Sequence, residues 1–181
     1  MKNSKKIKNI IIKGRPGSGK STLILKIKKL IENKEKKVGG IATPEIRKNG
    51  KRVGFKIIDI YKNIEGILSH INQKNGPRVG KYRVNLEDLN LIGVNAIRNA
   101  IEKYDIIIID EIGKMELFSE DFQIAVQKAF DSEKYILCTM GLKLTHPFIN
   151  KIKNRDDIKI ILLTHENRDE LFTEMSYSIA I

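Results

Sequence analysis

The feature that most constrains this chain is a glycine-rich loop near its N-terminus, with the sequence GRPGSGKST over residues 14–22. It fits the Walker A pattern G-x-x-x-x-G-K-[S/T], in which backbone N–H groups surround phosphate oxygens. The β-branched run Ile10-Ile11-Ile12 precedes the loop, and apolar residues recur at helical spacing after it. Because strand, loop and helix follow in the order that this motif requires, we predict a phosphate-binding site.

Each loop position has an expected task. Gly14 and Gly19 are predicted to adopt backbone conformations that a Cβ atom would penalise, and Gly17 to let the backbone approach a phosphate. The loop N–H groups then lie at a helix N-terminus, where the helix dipole favours negative charge. Lys20 should reach the β- and γ-phosphates, and Ser21 should ligate Mg²⁺. The predicted nucleotide-binding residues are therefore Gly14, Arg15, Pro16, Gly17, Ser18, Gly19, Lys20, Ser21 and Thr22.

A second chemical landmark is a run of four isoleucines that ends in Asp110 and Glu111, in the manner of a Walker B strand. The run predicts a central strand buried on both faces, and ligands in open α/β sheets bind at the carboxyl ends of strands. We expect Asp110 to hold Mg²⁺, directly or through water, and Glu111 to orient or deprotonate the attacking water. Adjacent carboxylates at this point are typical of RecA-like ATPases, in which an additional strand separates the two motif strands.

The 181 residues predict one domain over residues 1–181, an α/β chain with the three-layer α/β/α P-loop NTPase fold of the RecA-like type. Asn49-Gly50 lies between two β-patterned runs, which indicates a β-hairpin inserted after the first helix. Pro44 restricts the first arm of this hairpin to an edge or bulged strand. Asn85 and Ser119 are predicted to cap helix N-termini.

Residues outside the two motifs are weaker candidates. The basic segment 72–85, with glycine hinges, predicts a lid whose Arg78 or Arg83 stabilises charge in the reaction, and Arg15 is a third candidate. An ordinary solvated loop is the alternative. Other side chains expected near strand ends, each with a purely structural alternative, are Thr43, Glu45, His70, Lys114, Glu116, Thr139, His165, Asn167 and Arg168.

The formal charge of +12 raises the question of a nucleic-acid partner. The lysines are scattered, however, and no basic stripe is interleaved with aromatics, so nucleic acid is a possible but not a favoured partner. No apolar run approaches the roughly 18 residues of a membrane span. The stretch after the basic N-terminus is too short for a signal peptide, and the lone Cys138 cannot form an internal disulfide. We therefore expect a cytoplasmic protein without a membrane partner.

Beyond the two motifs, the chain resembles the small P-loop nucleoside-triphosphatase family of thermophiles, which is similar to the cancer-related nucleoside-triphosphatase. The resemblance implies slow hydrolysis of nucleoside triphosphates with little choice among bases. It also implies nucleotide contacts from Gly14–Ser21 and from the strand segment that consists of Ile106, Ile107, Ile108, Ile109, Asp110, Glu111, Ile112 and Gly113. Lys114 and Pro44 depart from the family pattern. The resemblance is carried by residues 14–22, 40–47, 54–55, 79–85, 110–117 and 166–169.

The sequence thus predicts a Mg²⁺-dependent hydrolase of the β–γ bond of ATP, GTP and other nucleoside triphosphates. Lys20, Asp110 and Glu111 are the expected catalytic residues, and Ser21 and Asp110 the expected metal ligands. No Asn-Lys-x-Asp guanine reader stands in a suitable place, which fits weak base selectivity. Two alternatives remain open. One is a kinase that passes the γ-phosphate to a nucleoside or nucleotide, and the other is a nucleotide-switched module that binds RNA or DNA.

Overall fold

The computed structural model describes residues 7–178, so residues 1–6 of the basic N-terminal stretch lie outside the described part of the chain, as do residues 179–181. The strands are β1 Asn9–Gly14, β2 Val38–Ala42, β3 Glu45–Lys48, β4 Lys51–Asp59, β5 Ile64–His70, β6 Arg78–Val79, β7 Tyr82–Val84, β8 Ile106–Ile112, β9 Tyr135–Gly141 and β10 Ile158–Leu163. The α-helices are α1 Lys20–Glu32, α2 Leu86–Asp88, α3 Asn95–Lys103, α4 Glu120–Asp131, α5 Pro147–Lys153 and α6 Arg168–Ser178. A π-helical segment, Leu89–Val94, joins α2 to α3, and a 3₁₀ turn, Glu116–Phe118, precedes α4.

These strands form one twisted, mixed sheet. Its order is β10-β1-β9-β8-β2-β4-β5-β7-β6, and β3 pairs with β4 off this path. The five strands from β10 to β2 are parallel, while β4 pairs antiparallel with β2. The strand β9 lies between β1 and β8, so the additional strand predicted between the two motif strands is confirmed.

The side chains of β8 explain why this strand is central. Ile107 and Ile109 are fully buried in the core that lies beneath α3 and α4. Ile106 and Ile108 point to the opposite face and pack in a second core beneath α1 and α6. A strand whose two faces are both apolar must be covered on both sides, because water would otherwise contact one row of isoleucines. The two cores therefore produce the predicted three layers.

The inserted hairpin is formed by β3 and β4. Its turn residues Asn49 and Gly50 have φ values of 49° and 74°, the left-handed backbone that an Asn-Gly hairpin turn requires. β3 begins directly after Pro44, pairs with β4 alone among the described strands, and has a register shift after Ile46. The predictions of a hairpin and of an irregular edge strand are both confirmed.

The side chains of Asn85 and Ser119 behave as predicted at two helix starts. The Asn85 side chain accepts a hydrogen bond from the Asp88 N–H at the start of α2, over 3.2 Å. The Ser119 hydroxyl accepts one from the Phe122 N–H at the start of α4, over 3.0 Å. Each bond satisfies a first-turn N–H that has no partner within the helix. Across residues 7–178, no helix is long and apolar enough to cross a membrane.

The predicted lid is wrong. Arg78 lies in β6 and Arg83 in β7, and these two short strands pair with each other at the far edge of the sheet. Five strands separate β7 from β1, and at about 4.8 Å per strand neither arginine reaches the glycine loop. Strands of two and three residues are too short to show a period-2 pattern, so this segment has the sequence pattern of a loop.

Truncation of one buried isoleucine tests the central position of β8. Ile107→Ala should lower the free energy of unfolding by about 3–4 kcal/mol, because Ile107 is fully buried and its loss leaves a cavity. Ile160→Ala, on the edge strand β10 where the side chain is 43% exposed, should cost under about 1.5 kcal/mol. Urea unfolding of the two variants measures the difference, and equal losses would contradict the assigned positions of the two strands.

Candidate active site

The glycine loop has the geometry of an anion-binding turn. Gly17 and Gly19 have φ values of 78° and 94°, which residues with a Cβ rarely adopt. Gly14 is required for another reason than the one predicted, since its φ lies outside the left-handed region. A Cβ there would stand 2.5 Å from the Ser18 hydroxyl oxygen and 3.0 Å from the Leu163 carbonyl oxygen. The constraint at Gly14 is therefore space.

The start of α1 is open to an anion. No side chain caps this helix at Gly19, and its first turn contains no acidic residue. The first N–H groups of a helix have no partner within the helix, and they carry the positive end of its dipole. An unshielded helix start directly after a glycine loop is suited to bind phosphate oxygens.

Lys20 connects the loop with the end of β8. Its side chain is only 7% exposed, and its Nζ donates to the carbonyls of Gly14 and Arg15, over 3.2 Å in each case. The same Nζ lies 3.8 Å from Glu111 Oε2. A positive charge is thus held between the loop that would receive phosphates and the carboxylate expected to activate water.

Asp110 is joined to both neighbouring parts of the site. Its Oδ1 accepts hydrogen bonds from the hydroxyl of Ser21 on α1, over 3.2 Å, and from the hydroxyl of Thr139 on β9, over 2.6 Å. Burial raises the pKa of this carboxyl, while the Thr139 and Ser21 hydrogen bonds and the Lys20 charge lower it. A carboxylate and a hydroxyl oxygen in contact are hard ligands that Mg²⁺ accepts, and a cation would relieve the cost of burial. The residues present therefore fit a magnesium ion.

Glu111 is held at its backbone and open at its side chain. Its N–H donates to the Thr43 hydroxyl over 3.2 Å, and that hydroxyl donates to the Asp110 carbonyl over 2.9 Å. The Glu111 side chain remains 34% exposed. Partial burial raises the pKa of the carboxyl, the Lys20 charge lowers it, and the Asp110 charge raises it. Thr43, directly after β2, thus connects the end of that strand to Asp110 and Glu111, a contact that the sequence pattern did not predict.

A cleft of about 640 Å³ opens beside Glu111. Arg15 borders it and is the one arginine among the three predicted candidates that does so. Its wall includes the ends of β8 and β9, so it lies at the carboxyl edge of the sheet, where the loop also ends. The lining residues are Arg15, Pro16, Glu111, Gly113, Lys114, Gly141, Leu142, Lys143 and Leu144.

The remaining predicted residues of β8 contribute differently. The side chains of Ile106–Ile109 are buried in the two cores and line no part of the cleft. Ile112 is likewise buried, whereas Gly113 belongs to the cleft wall. The isoleucines act by delivering Asp110 and Glu111 to the end of the strand. Thr22 is exposed on the first turn of α1.

A third acid, Glu116, is buried behind the site. It is 4% exposed, and its Oε2 accepts a hydrogen bond from the Gly113 N–H over 3.0 Å. Burial raises its pKa to about 8; hydrogen bonds from backbone N–H groups oppose the rise, and the charges of Glu111 and Asp110 add to it. The sequence indicated at most a supporting role, because spacing alone does not reveal that this side chain turns inward.

Other candidates are engaged elsewhere. Glu45 forms ion pairs with Arg47 and Arg52 of the hairpin, over 2.7 Å in each case. His70 accepts a hydrogen bond from the Asn72 N–H in a local turn. Asn167 accepts one from the Thr164 N–H before α6, which is a turn-stabilising role. Arg168 does border the loop, since a Cβ at Gly19 would stand 3.0 Å from its Cδ.

Known proteins resemble this chain over most of its length. A family model described as NTPase matches residues 9–176. The chain is 49% identical over 166 residues to a protein named nucleoside-triphosphatase THEP1 from Thermotoga sp. (strain RQ2), with 92% of each chain covered. It resembles the crystal structure of THEP1 from Aquifex aeolicus, with a TM-score of 0.79, 33% identity, and coverage of 92% of this chain and 96% of that one. It also resembles the solution structure of a human cancer-related nucleoside triphosphatase, with a TM-score of 0.80, 32% identity, and coverage of 95% and 97%.

The buried acid makes a prediction about stability and pH. Because the pKa of Glu116 is about 8 in the folded protein against an ordinary 4.5, the folded state holds this proton more tightly than the unfolded chain. The stabilisation is complete below pH 4.5 and is lost progressively as the pH rises towards 8. Glu116→Gln has no such proton. Between pH 5 and 8.5 the wild type should therefore lose stability that the variant keeps. The free energy of unfolding of the variant should rise relative to that of the wild type by on the order of 1–4 kcal/mol.

Urea unfolding at four pH values measures this trend. The exposed Glu120→Gln is the matched control, since it makes the same chemical replacement at a glutamate that is not buried. A difference between Glu116→Gln and the wild type that stays constant with pH would contradict the shifted pKa.

Proposed function

The chain belongs to the NTPase family, the nucleoside-triphosphatases, and from this membership we propose that it hydrolyses the β–γ bond of ATP, GTP and other nucleoside triphosphates with Mg²⁺. The observation that carries the proposal is that an ion pair, Lys20–Glu111, and a hydrogen-bonded pair, Ser21–Asp110, lie in the same site. Lys20 lies 3.8 Å from Glu111, and the Ser21 hydroxyl lies 3.2 Å from Asp110 Oδ1. A phosphate-binding loop, a metal-binding pair and a carboxylate base are thereby within one site.

The reaction assigns a separate task to each residue. The loop N–H groups and the Lys20 ammonium bind the β- and γ-phosphates. Ser21 and Asp110 hold Mg²⁺, which neutralises charge on the phosphate oxygens when it is bound. Glu111 accepts a proton from a water molecule in the cleft. The water oxygen bonds to the γ-phosphorus as the bond to the β–γ bridging oxygen breaks, and the products are the nucleoside diphosphate and phosphate.

The named contacts support broad base specificity. The loop, Lys20 and the Ser21–Asp110 pair all serve the phosphates, which every nucleoside triphosphate shares. The nearest approximation to a guanine-reading motif, residues 154–157, is engaged in a structural network. In that network Arg155 pairs with Asp157 over 2.9 Å and also contacts Asp131. We therefore propose that ATP, GTP, CTP and UTP are all hydrolysed.

The position of the arginines supports slow turnover. An arginine that stabilises the transition state is worth about 10³–10⁵ in rate. Arg78 and Arg83 lie at the far edge of the sheet, and Arg15, although it borders the cleft, is an exposed side chain of the loop itself. Arg168 borders the loop at Gly19 but does not line the cleft beside Glu111. Because Arg15 is the one arginine of residues 7–178 on the cleft wall, and its side chain is exposed, we propose a low rate unless a partner supplies an arginine.

Phosphate release from the four nucleoside triphosphates with Mg²⁺ tests the proposal. We expect slow release from all four, little release without Mg²⁺, and loss of release in Lys20→Ala. Glu111→Gln should bind ATP with an affinity near that of the wild type but hydrolyse it about 10²–10⁴-fold more slowly, because it cannot accept the proton. Normal hydrolysis by Glu111→Gln would exclude Glu111 as the base.

Added nucleosides and RNA separate the two alternatives. Neither should change the rate of a nucleoside-triphosphatase. A rate that rises with a nucleoside, with transfer of the phosphate to it, would identify a kinase and make hydrolysis a side reaction. A rate or an affinity that depends on RNA and falls steeply with salt would instead identify a nucleic-acid switch.

Thr43 makes a second prediction about the reaction. Thr43→Val keeps the shape of the side chain but leaves the Glu111 N–H and the Asp110 carbonyl without their shared hydroxyl. Without the hydroxyl the Glu111 backbone is no longer held, so kcat should fall roughly tenfold, which corresponds to about 1.4 kcal/mol of barrier. Thr43→Ser retains the hydroxyl and should keep most of the activity. Equal kcat values for the two variants would show that the hydroxyl does not support the site.

A further inference from the structure

A tight turn follows Glu111, and Glu116 closes it from the inside. The Gly113 N–H donates to Glu116 Oε2 over 3.0 Å, and the Leu117 N–H donates to the Gly113 carbonyl over 3.3 Å. Both Gly113 and Glu116 are buried. The buried Glu116 carboxyl therefore fixes the backbone two residues after Glu111 from the side that faces away from the cleft.

Gly113 lies between the two carboxyl groups. A Cβ at this position would stand 2.8 Å from Glu116 Oε2 and 3.5 Å from Glu111 Oε1. The first distance is too short for any real contact, and the second is ordinary van der Waals contact. A side chain at position 113 would therefore collide with Glu116 and stand against Glu111. Because Gly113 follows Glu111 by two residues, a shift of the turn would move the backbone that carries the Glu111 side chain.

We propose that Glu116 is a positioning residue for hydrolysis, which aims the Glu111 carboxyl at the attacking water by holding the turn at Gly113. The inference rests on the proposed role of Glu111 as the base. Glu116 does not line the cleft, so its effect on the reaction passes through Glu111 and not through contact with the nucleotide.

The positioning role of Glu116 depends on the length of its side chain, which lets the carboxyl accept the Gly113 N–H, and not on its charge. The charges that face it belong to Glu111 and Asp110, and a third negative charge beside them would be repelled. A neutral carboxyl still accepts the Gly113 N–H, and so does the amide oxygen of a glutamine. An aspartate at this position has the same chemistry but is one methylene too short.

Four variants distinguish positioning from a merely structural bond. Glu116→Gln should keep kcat within about threefold of the wild type. Glu116→Ala and Glu116→Asp should lower kcat by roughly 30–100-fold with little change in the KM for ATP, because a displacement of about 1 Å can cost about 10²-fold in rate.

Asp88→Ala is the matched control. It removes a carboxylate that accepts the Ile67 N–H over 2.7 Å, on α2 beside β5, with β2 and β4 between β5 and β8. It should lower stability and leave kcat unchanged.

A double variant provides the decisive readout. If Glu116 acts only through Glu111, its loss should add less than about threefold to the defect of Glu111→Gln. A residue that contacts the nucleotide would multiply the two defects, and one that only stabilises the fold would not lower kcat in a fully folded variant. Rates are measured under conditions in which urea titration shows each variant to be fully folded.

Each outcome decides the matter. The expected pattern is retention in Glu116→Gln, loss of kcat in Glu116→Ala and Glu116→Asp, and no further loss in the double variant. Normal kcat in Glu116→Ala, a loss in Glu116→Gln equal to that in Glu116→Ala, or multiplied defects would overturn the proposal. Failure of the proposed role of Glu111 would appear separately, as normal hydrolysis by Glu111→Gln alone, and failure of the proposed function as the absence of Mg²⁺-dependent phosphate release by the wild type.

Discussion

The hydrogen bonds to the Asp110 carboxylate are the contacts on which the site depends. Ser21 donates from the first turn of α1 and Thr139 from the end of β9, so one buried oxygen joins the helix after the glycine loop to two neighbouring strands. The parallel register of β1, β9 and β8 makes this possible, because it brings the carboxyl ends of all three strands to one edge. A ligand at this edge contacts residues that are far apart in the chain but rigidly connected.

Burial of several acids together has an electrostatic cost, and the fold offsets this cost with a different group at each acid. Asp110 receives two hydroxyl donors, Glu111 faces the Lys20 ammonium, and Glu116 is protonated at neutral pH with its oxygen on a backbone N–H. Each acid is thus compensated in a different way. The arrangement leaves Glu111 as the acid with a side chain open to the cleft, which is the property that a base acting on water needs.

The hairpin and the far edge of the sheet show how local signals can be correct or misleading. Asn49-Gly50 predicted its turn because two consecutive residues with positive φ suit few amino acids. The basic segment 72–85 suggested a lid, since its charges and glycines resemble those of mobile loops. In the structure, β6 pairs with β7 and β7 pairs with β5, so part of this segment belongs to the sheet. The pairing holds Arg78 and Arg83 away from the site. Composition carries no information about such distant pairing.

Local sequence was enough to predict the phosphate loop, the strand that carries Asp110 and Glu111 near its end, and the helix caps. Each of these rests on residues adjacent in the chain, whose chemistry and spacing suffice. Only the tertiary structure revealed that Thr43 bridges the two acidic positions, that Thr139 donates to Asp110, and that Glu116 turns inward behind Gly113. These contacts depend on which strands become neighbours and on which side chains are buried, and both are properties of the packed sheet as a whole.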